Sequence, residues 1–246
     1  MNFTRIKKIN ISEQIATRLR EIILCGEIKP QQKLPPEREL AIQFGTNRNT
    51  LREALKILES DGLIEIRQGG GIEVLDFASE GKINLLSYII RHTKDTSMKT
   101  RIISDSLNVR SAGLAEISKI AAENRETAQI DKIRDSLERI RGNINTEDHR
   151  LVFNLEMNFL KSIVEATNSI VLMWFFNTIR EITEDVFEEF EQFWNISDEY
   201  CESLEKIYKA IKDGSPERAY RFTREHFERI DKTLFNLFKE VRDAKV

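Results

Sequence analysis

The chain is poor in the residues that most often build cross-linked, metal-bound or strained sites: of its 246 residues, two are cysteine, three histidine, four proline and ten glycine. Cys25 and Cys201 lie far apart and match no metal-ligand spacing, so they read as reduced, packed thiols, and cysteine chemistry is not the function. No run approaches the ~20 apolar residues of a membrane helix. The opening MNFTRIKKIN lacks the apolar core of a secretory signal. The expectation is a cytoplasmic protein with no membrane contact. No nucleophile elbow, phosphate-binding glycine loop or usefully spaced His–carboxylate pair occurs, which argues against an enzyme. With 40% hydrophobic and 32% charged residues, the composition suits a helix-rich globular chain long enough for two domains.

Net charge is −3, which alone says nothing for nucleic acid. Residues 1–75 carry 12 Lys and Arg against 10 Asp and Glu, so a DNA-binding reading rests on where particular arginines point. Ile11, Ile15, Leu19, Ile22 and Ile23 form a helical stripe that Gly26 ends. Pro30, Pro35 and Pro36 then break the helix, and Pro36 is a favourable first position for a short second helix over Glu37–Phe44 with Leu40, Ala41 and Phe44 inward. Gly45 suits the left-handed corner of a helix-turn-helix. A third helix follows with Asn47 as N-cap and Leu51, Ala54, Leu55 and Leu58 on its buried stripe.

The opposite face of that third helix carries Arg48 and Arg52, four apart, with Asn49 between them. Alone, they are an ordinary solvated surface; in the N-terminal half of a recognition helix they suit guanine, while Thr50 and the first amides suit phosphate. After Gly62, two β-compatible runs, Leu63–Arg67 and Ile72–Leu75, flank Gln68, Gly69, Gly70 and Gly71. This hairpin reads as a wing whose Arg67 and Gln68 reach phosphate or the minor groove.

The run LPPERELAIQFGTNRNTLREALKILESDGLIEIRQGGGIEV resembles the DNA-binding domain of the GntR family of transcription regulators over about 75 residues. The resemblance implies DNA contact by Arg38, Arg48, Thr50, Arg52, Gln68 and Gly69. Pro36 stands where the family usually has a small capping residue, and Asn47 and Asn49 replace commoner Ser or Thr, departures that bear on the preferred operator sequence. The organisation expected is a winged helix-turn-helix, three helices plus a β-hairpin, over residues 1–76. A linker and connecting helix follow over 77–97, then an all-α antiparallel bundle over 98–246 that binds effector and dimerises.

From Ser79 onward only amphipathic segments occur, broken near Gly142, Asn168 and Gly214-Ser215-Pro216. Leu137 and Ile140 read as part of an outer, charged helix. Phe175, Phe176, Phe187, Phe190 and Phe193 span too much of one helix for a single core stripe, so some of that area suits a second subunit. Over Met98–Ala122, Ile103, Leu107, Leu114, Ile117 and Ala121 form a stripe on which Arg110 falls. A buried guanidinium needs either a core carboxylate or a bound anion. His226 falls on the inward face of the last helix, with Ala219, Thr223, Ile230, Thr233 and Leu237.

This plan resembles the FadR subfamily, whose helical domain binds an organic acid or acyl-CoA and often a divalent metal. Arg110 in SLNVRSAGLAEI matches the helix whose arginine holds an acidic ligand. The positions matching the subfamily's metal motif are Glu156, Leu160, Leu204 and His226, and leucine ligates no metal. No metal and no cofactor are expected. The resulting apolar cavity suits an anionic group at Arg110, with Glu156 and His226 beside it, and a hydrocarbon portion: a fatty acid or acyl-CoA. VLDFASEGKINLL also looks like the linker of the metal-free, acyl-CoA-responsive branch. The function expected is a homodimeric, effector-controlled regulator of a palindromic operator on double-stranded DNA. The alternatives are a metal-dependent, organic-acid-responsive regulator of the same family and a non-sensing DNA-packing protein.

Overall fold

The structure, a computed structural model, describes residues 10–144, 146–191, 194 and 196–243. It divides into two compact units, the first ending at Thr96 and the second beginning at Ser97.

The first unit opens with α1 (Ile11–Leu24), which buries Ile15, Ala16, Leu19 and Ile23 and stops where Gly26 takes φ +78°. A two-residue strand β1 (Lys33–Leu34) precedes α2 (Glu37–Gln43). Pro36 is the N-cap of α2 rather than its first helical residue: its ψ of 146° is extended, and its carbonyl accepts from the amides of Glu39 and Leu40. Gly45 turns the corner at φ +60° into α3 (Arg48–Ser60). Asn47 caps α3 by accepting from the Thr50 amide at 2.9 Å. Leu51, Ala54, Leu55 and Leu58 are fully buried, chiefly against α1. Gly62, at φ +75°, follows α3; a Cβ there would lie 2.1 Å from the carbonyl oxygen of Glu80, so only glycine fits.

Strands β2 (Ile64–Arg67) and β3 (Gly71–Val74) form the hairpin, and β1 joins the other edge of β3 to give the antiparallel order β1-β3-β2. Residues 77–92 carry α4 (Phe77–Glu80) and α5 (Asn84–His92), whose Leu85, Tyr88, Ile89 and Ile90 are buried. A buried Arg20 ties this unit together. Its Nε donates to Asp61 and its Nη1 to Glu13, both at 2.8 Å, and its guanidinium lies 4.7 Å from the ring centre of Tyr88.

The second unit is entirely helical among its described residues: α6 (Thr96–Asn124), α7 (Thr127–Arg141), α8 (His149–Glu165), α9 (Ile170–Phe190), α10 (Asp198–Lys212) and α11 (Pro216–Asp243). Breaks fall where the sequence marks them. Asn168 at φ +55° separates α8 from α9, and Gly214 at φ +64° separates α10 from α11. α7 packs on α8 and α10, α10 on α11, and α8 on α9. α7 is no mere outer helix: Ile133, Leu137 and Ile140 are buried, its charges lying on the other side. Of the Phe-rich segment, Phe176 and Phe187 are buried and Phe175 is exposed, while Phe193 lies outside the described residues.

Candidate nucleic-acid interface and effector cavity

On α3 the apolar stripe turns Leu51, Ala54, Leu55 and Leu58 inward, which leaves Arg48, Asn49 and Arg52 exposed on the other face. Arg48 has no ion-pair partner among the described residues. Arg52 donates from Nε to Glu37 of α2 at 2.8 Å and remains 60% exposed, so the carboxylate orients the guanidinium without covering it. Arg38 on α2 is exposed. The Thr50 amide is engaged by the Asn47 cap, leaving its half-buried side chain for other contacts.

In the wing, Gln68 and Gly69 are exposed, and Gly69 takes φ +75°. Arg67 is held by Glu65 at 2.6 Å and Glu73 at 3.3 Å, so two carboxylates meet the one guanidinium that sequence reasoning aimed at phosphate. Lys33, from the unforeseen β1, donates from Nζ to the Gly70 carbonyl at 2.8 Å and brings a second cation to the wing tip.

In the second unit Arg110 is buried on α6 and pairs through Nη2 with Oδ1 of Asp231 on α11. The ring of Phe227 lies 5.1 Å from the guanidinium. Glu156 of α8 is buried beside this pair, and its Oε2 accepts from Nε1 of Trp194 at 2.9 Å. The Tyr200 hydroxyl faces the same carboxylate, close enough to favour its charge, without the alignment of a hydrogen bond. His226 of α11 meets Ser203 Oγ through Nδ1 at 2.5 Å and packs edge-on to Tyr200 and Phe227.

Burial dominates the proton chemistry of this cluster. It pushes the carboxyls of Glu156 and Asp231 up, against the pull of Arg110. It also holds His226 down at about 3, with Arg229 and Arg110 adding repulsion, so the imidazole is neutral at physiological pH. Among the described residues, eight buried side-chain atoms lack a hydrogen-bond partner: Arg110 Nε and Nη1, Glu156 Oε1, His226 Nε2, Asp231 Oδ2, and the hydroxyls of Ser111, Tyr200 and Thr223. Leaving such groups unpaired costs about 1–3 kcal/mol each, and the protein itself supplies no partner for these atoms.

The structure thus brings Arg110, Glu156 and His226 together, as the sequence suggests, and adds Asp231, Trp194 and Tyr200. Ala219, Thr223, Phe227 and Asp231 recur every fourth residue and are the buried row of α11, the row from which Asp231 reaches Arg110. The row through Ile230 and Thr233 is half-buried to exposed, and the Leu237 side chain lies outside the described residues. The donor set does not fit a divalent metal. Leu160 and Leu204 are buried where two ligands would stand, and the described residues hold no group of three His, Cys, Asp or Glu able to bind one.

A helix-turn-helix with a glycine-tipped wing, followed by a helical unit around a buried polar cluster, defines an effector-binding DNA-binding protein. Residues 11–74 match the model for bacterial regulatory proteins of the gntR family, and residues 107–229, half the chain, match the FCD domain. The chain belongs to the GntR family of transcription regulators, in the group with an FCD domain, and binds DNA rather than catalysing a reaction. It is 25% identical to the HTH-type transcriptional regulator Mce2R of Mycobacterium tuberculosis, covering 93% of each chain. It is 27% identical to LutR of Bacillus subtilis over 89% of this chain and 99% of that one. Among solved structures it shares its fold with E. coli McbR/YncC, with a TM-score of 0.53 and 17% identity over 93% of this chain and 98% of that one. No helix among the described residues is long and apolar enough to cross a membrane.

Proposed function

We propose that the chain is a homodimeric regulator whose affinity for a palindromic operator is set by an acidic metabolite with a hydrocarbon portion, a fatty acid or acyl-CoA. The observation that carries the effector half is Arg110, a buried guanidinium with Nε and Nη1 unpartnered. A carboxylate seated there makes charge-assisted bonds where none exist. Beside it runs an apolar pocket between α6 and α9, lined by Val109, Gly113, Leu114, Phe175 and Phe176. That lining suits the hydrocarbon portion, while Glu156 and His226 complete the polar end.

In the DNA half, Arg48 and Arg52 read guanine, Asn49 lies between them at the base edges, and Arg38, Thr50, Arg67, Gln68 and Gly69 contact the backbone. Ile170, Val171, Trp174 and Phe175 expose an apolar face on α9, with Val109 exposed on α6. A second copy seated on this face would cover it and roof the pocket. Effector regulates by favouring one arrangement of the paired winged units, which requires different affinities for the DNA-competent and incompetent states.

Native mass spectrometry of freshly purified protein, with bound material extracted and identified, tests this. A dimer carrying an organic acid or acyl-CoA and no metal is expected. A stoichiometric divalent metal, or a monomer that takes up no added acid, contradicts it.

A further inference from the structure

The buried cluster around Arg110 is not simply cationic. One guanidinium faces two buried carboxylates, Asp231 from α11 and Glu156 from α8. The other ionisable neighbours bring no second positive charge into it. Tyr200 on α10 is a buried phenol, and Cys201 beside it is a buried thiol that burial pushes up. His226 is neutral, Glu228 adds only negative charge, and Arg229 is exposed and paired with Glu199. With Asp231 and Glu156 both ionised, a carboxylate effector at Arg110 brings a third anion to one cation in a setting where charges cannot be left unpaired.

We infer that an acidic effector binds at this cluster together with one proton, which joins Asp231 on its unpartnered Oδ2, so that the regulator reads organic acid and proton jointly. The inference rests on the proposed reading of Arg110 as effector anchor. Only a proton moves: it leaves water or buffer and joins the Asp231 carboxylate, and the net charge of the cluster is unchanged by binding.

Asp231 is the acceptor that geometry favours. Among the described residues its one hydrogen-bond partner is the guanidinium that the effector must share, and its second oxygen is buried without a partner. Glu156 keeps the indole N–H of Trp194 as a donor whatever happens at Arg110, which favours its ionised form. His226 would have to rise from about 3 across several pH units to compete. A protonated Asp231 also becomes a donor, able to bond the effector carboxylate directly.

The test is calorimetric titration of the full chain with octanoate between pH 6 and pH 8, in buffers of different ionisation enthalpy. Octanoate, an aliphatic carboxylate, stays ionised throughout this range. The expected result is uptake of about one proton per site and a Kd that weakens about tenfold per pH unit. Asp231→Asn should bind at pH 8 nearly as tightly as the unaltered chain at pH 6, with a flat profile. If Asp231→Asn does not fold, proton counting on the unaltered chain still decides.

Binding that Arg110→Lys weakens but that takes up no proton overturns the inference and leaves the anchor standing. A pH dependence that survives Asp231→Asn and vanishes in Glu156→Gln or His226→Gln also overturns it. Octanoate that binds neither the unaltered chain nor Asp231→Asn, or binds indifferently to Arg110→Lys, overturns the anchor and the inference together.

Discussion

In the winged unit, the arginines placed to meet a partner stand outside a closed core: Arg48 and Arg52 are exposed, and the one buried arginine among the described residues, Arg20, is bonded to both Asp61 and Glu13. In the helical unit the arrangement is reversed. Arg110 is buried and paired through one nitrogen, and its own Nε and Nη1 are unpartnered along with atoms of Glu156, Tyr200, His226 and Asp231 beside it. The contrast is the one expected if the two sites take the ligands proposed above. A DNA backbone is a large, solvated anion, met by charges that stay solvated until contact and bind in a salt-dependent way. A small effector must be enclosed, so its site carries the desolvation cost of polar groups in advance and recovers it on binding.

The largest effect that sharpens this comparison is on stability. Arg110→Ala strands Asp231 inside the core and should lower the unfolding free energy by about 3–5 kcal/mol in urea denaturation, whereas Arg52→Ala, at an exposed pair, should change it by less than about 1 kcal/mol. Replacing the buried pair together, as Arg110→Met with Asp231→Leu, should recover much of the loss. Equal costs for Arg110→Ala and Arg52→Ala would erase the distinction between the units.

The same Arg52→Ala change should instead appear in DNA binding, with about 1–3 kcal/mol of discrimination lost at one operator position in fluorescence anisotropy against single-base variants. Uniform weakening across all sequences would assign Arg52 to phosphate.

A third difference is pH. His226, with a folded pKa of about 3 against an ordinary 6.5, binds its proton in the unfolded chain first. Its contribution to stability is therefore intact above about pH 6.5 and is lost as pH falls below it, by up to tenfold in the folding equilibrium per unit. Denaturation of the full chain from pH 7.5 to 5 should show this fall, and His226→Gln should remove that part of the slope. A slope unchanged in His226→Gln would place the titration elsewhere.

The smallest effect belongs to the winged unit: Asn47→Ala removes the cap of α3 and should cost about 1 kcal/mol of stability, measurable as a lowered Tm. No change would mean that the Thr50 amide finds an equivalent partner.

Legibility in the sequence follows the range of the interactions. Asn47, the stripe through Leu58 and the glycines at 45, 62 and 69 are local devices, and the first three helices and the hairpin stand where those residues put them. Strand β1 is two residues long and exists only because Lys33 and Leu34 meet Glu73 and Ile72, a pairing no local period announces. Arg110 was legible as a charge on an apolar stripe. Its partner was harder, because Ala219 and Thr223 are compatible with either of two rows along α11, and only packing selects the row through Phe227 and Asp231. Trp194 reaches Glu156 from a segment between helices, so helical periodicity says nothing of it.

The most direct measurement is selection of bound fragments from a random double-stranded DNA library by the purified full chain. One palindrome whose half-sites each contain a guanine should be enriched, and released or recruited in step with an acidic effector. Recovery of unenriched DNA, unaffected by any acid that binds, would contradict it.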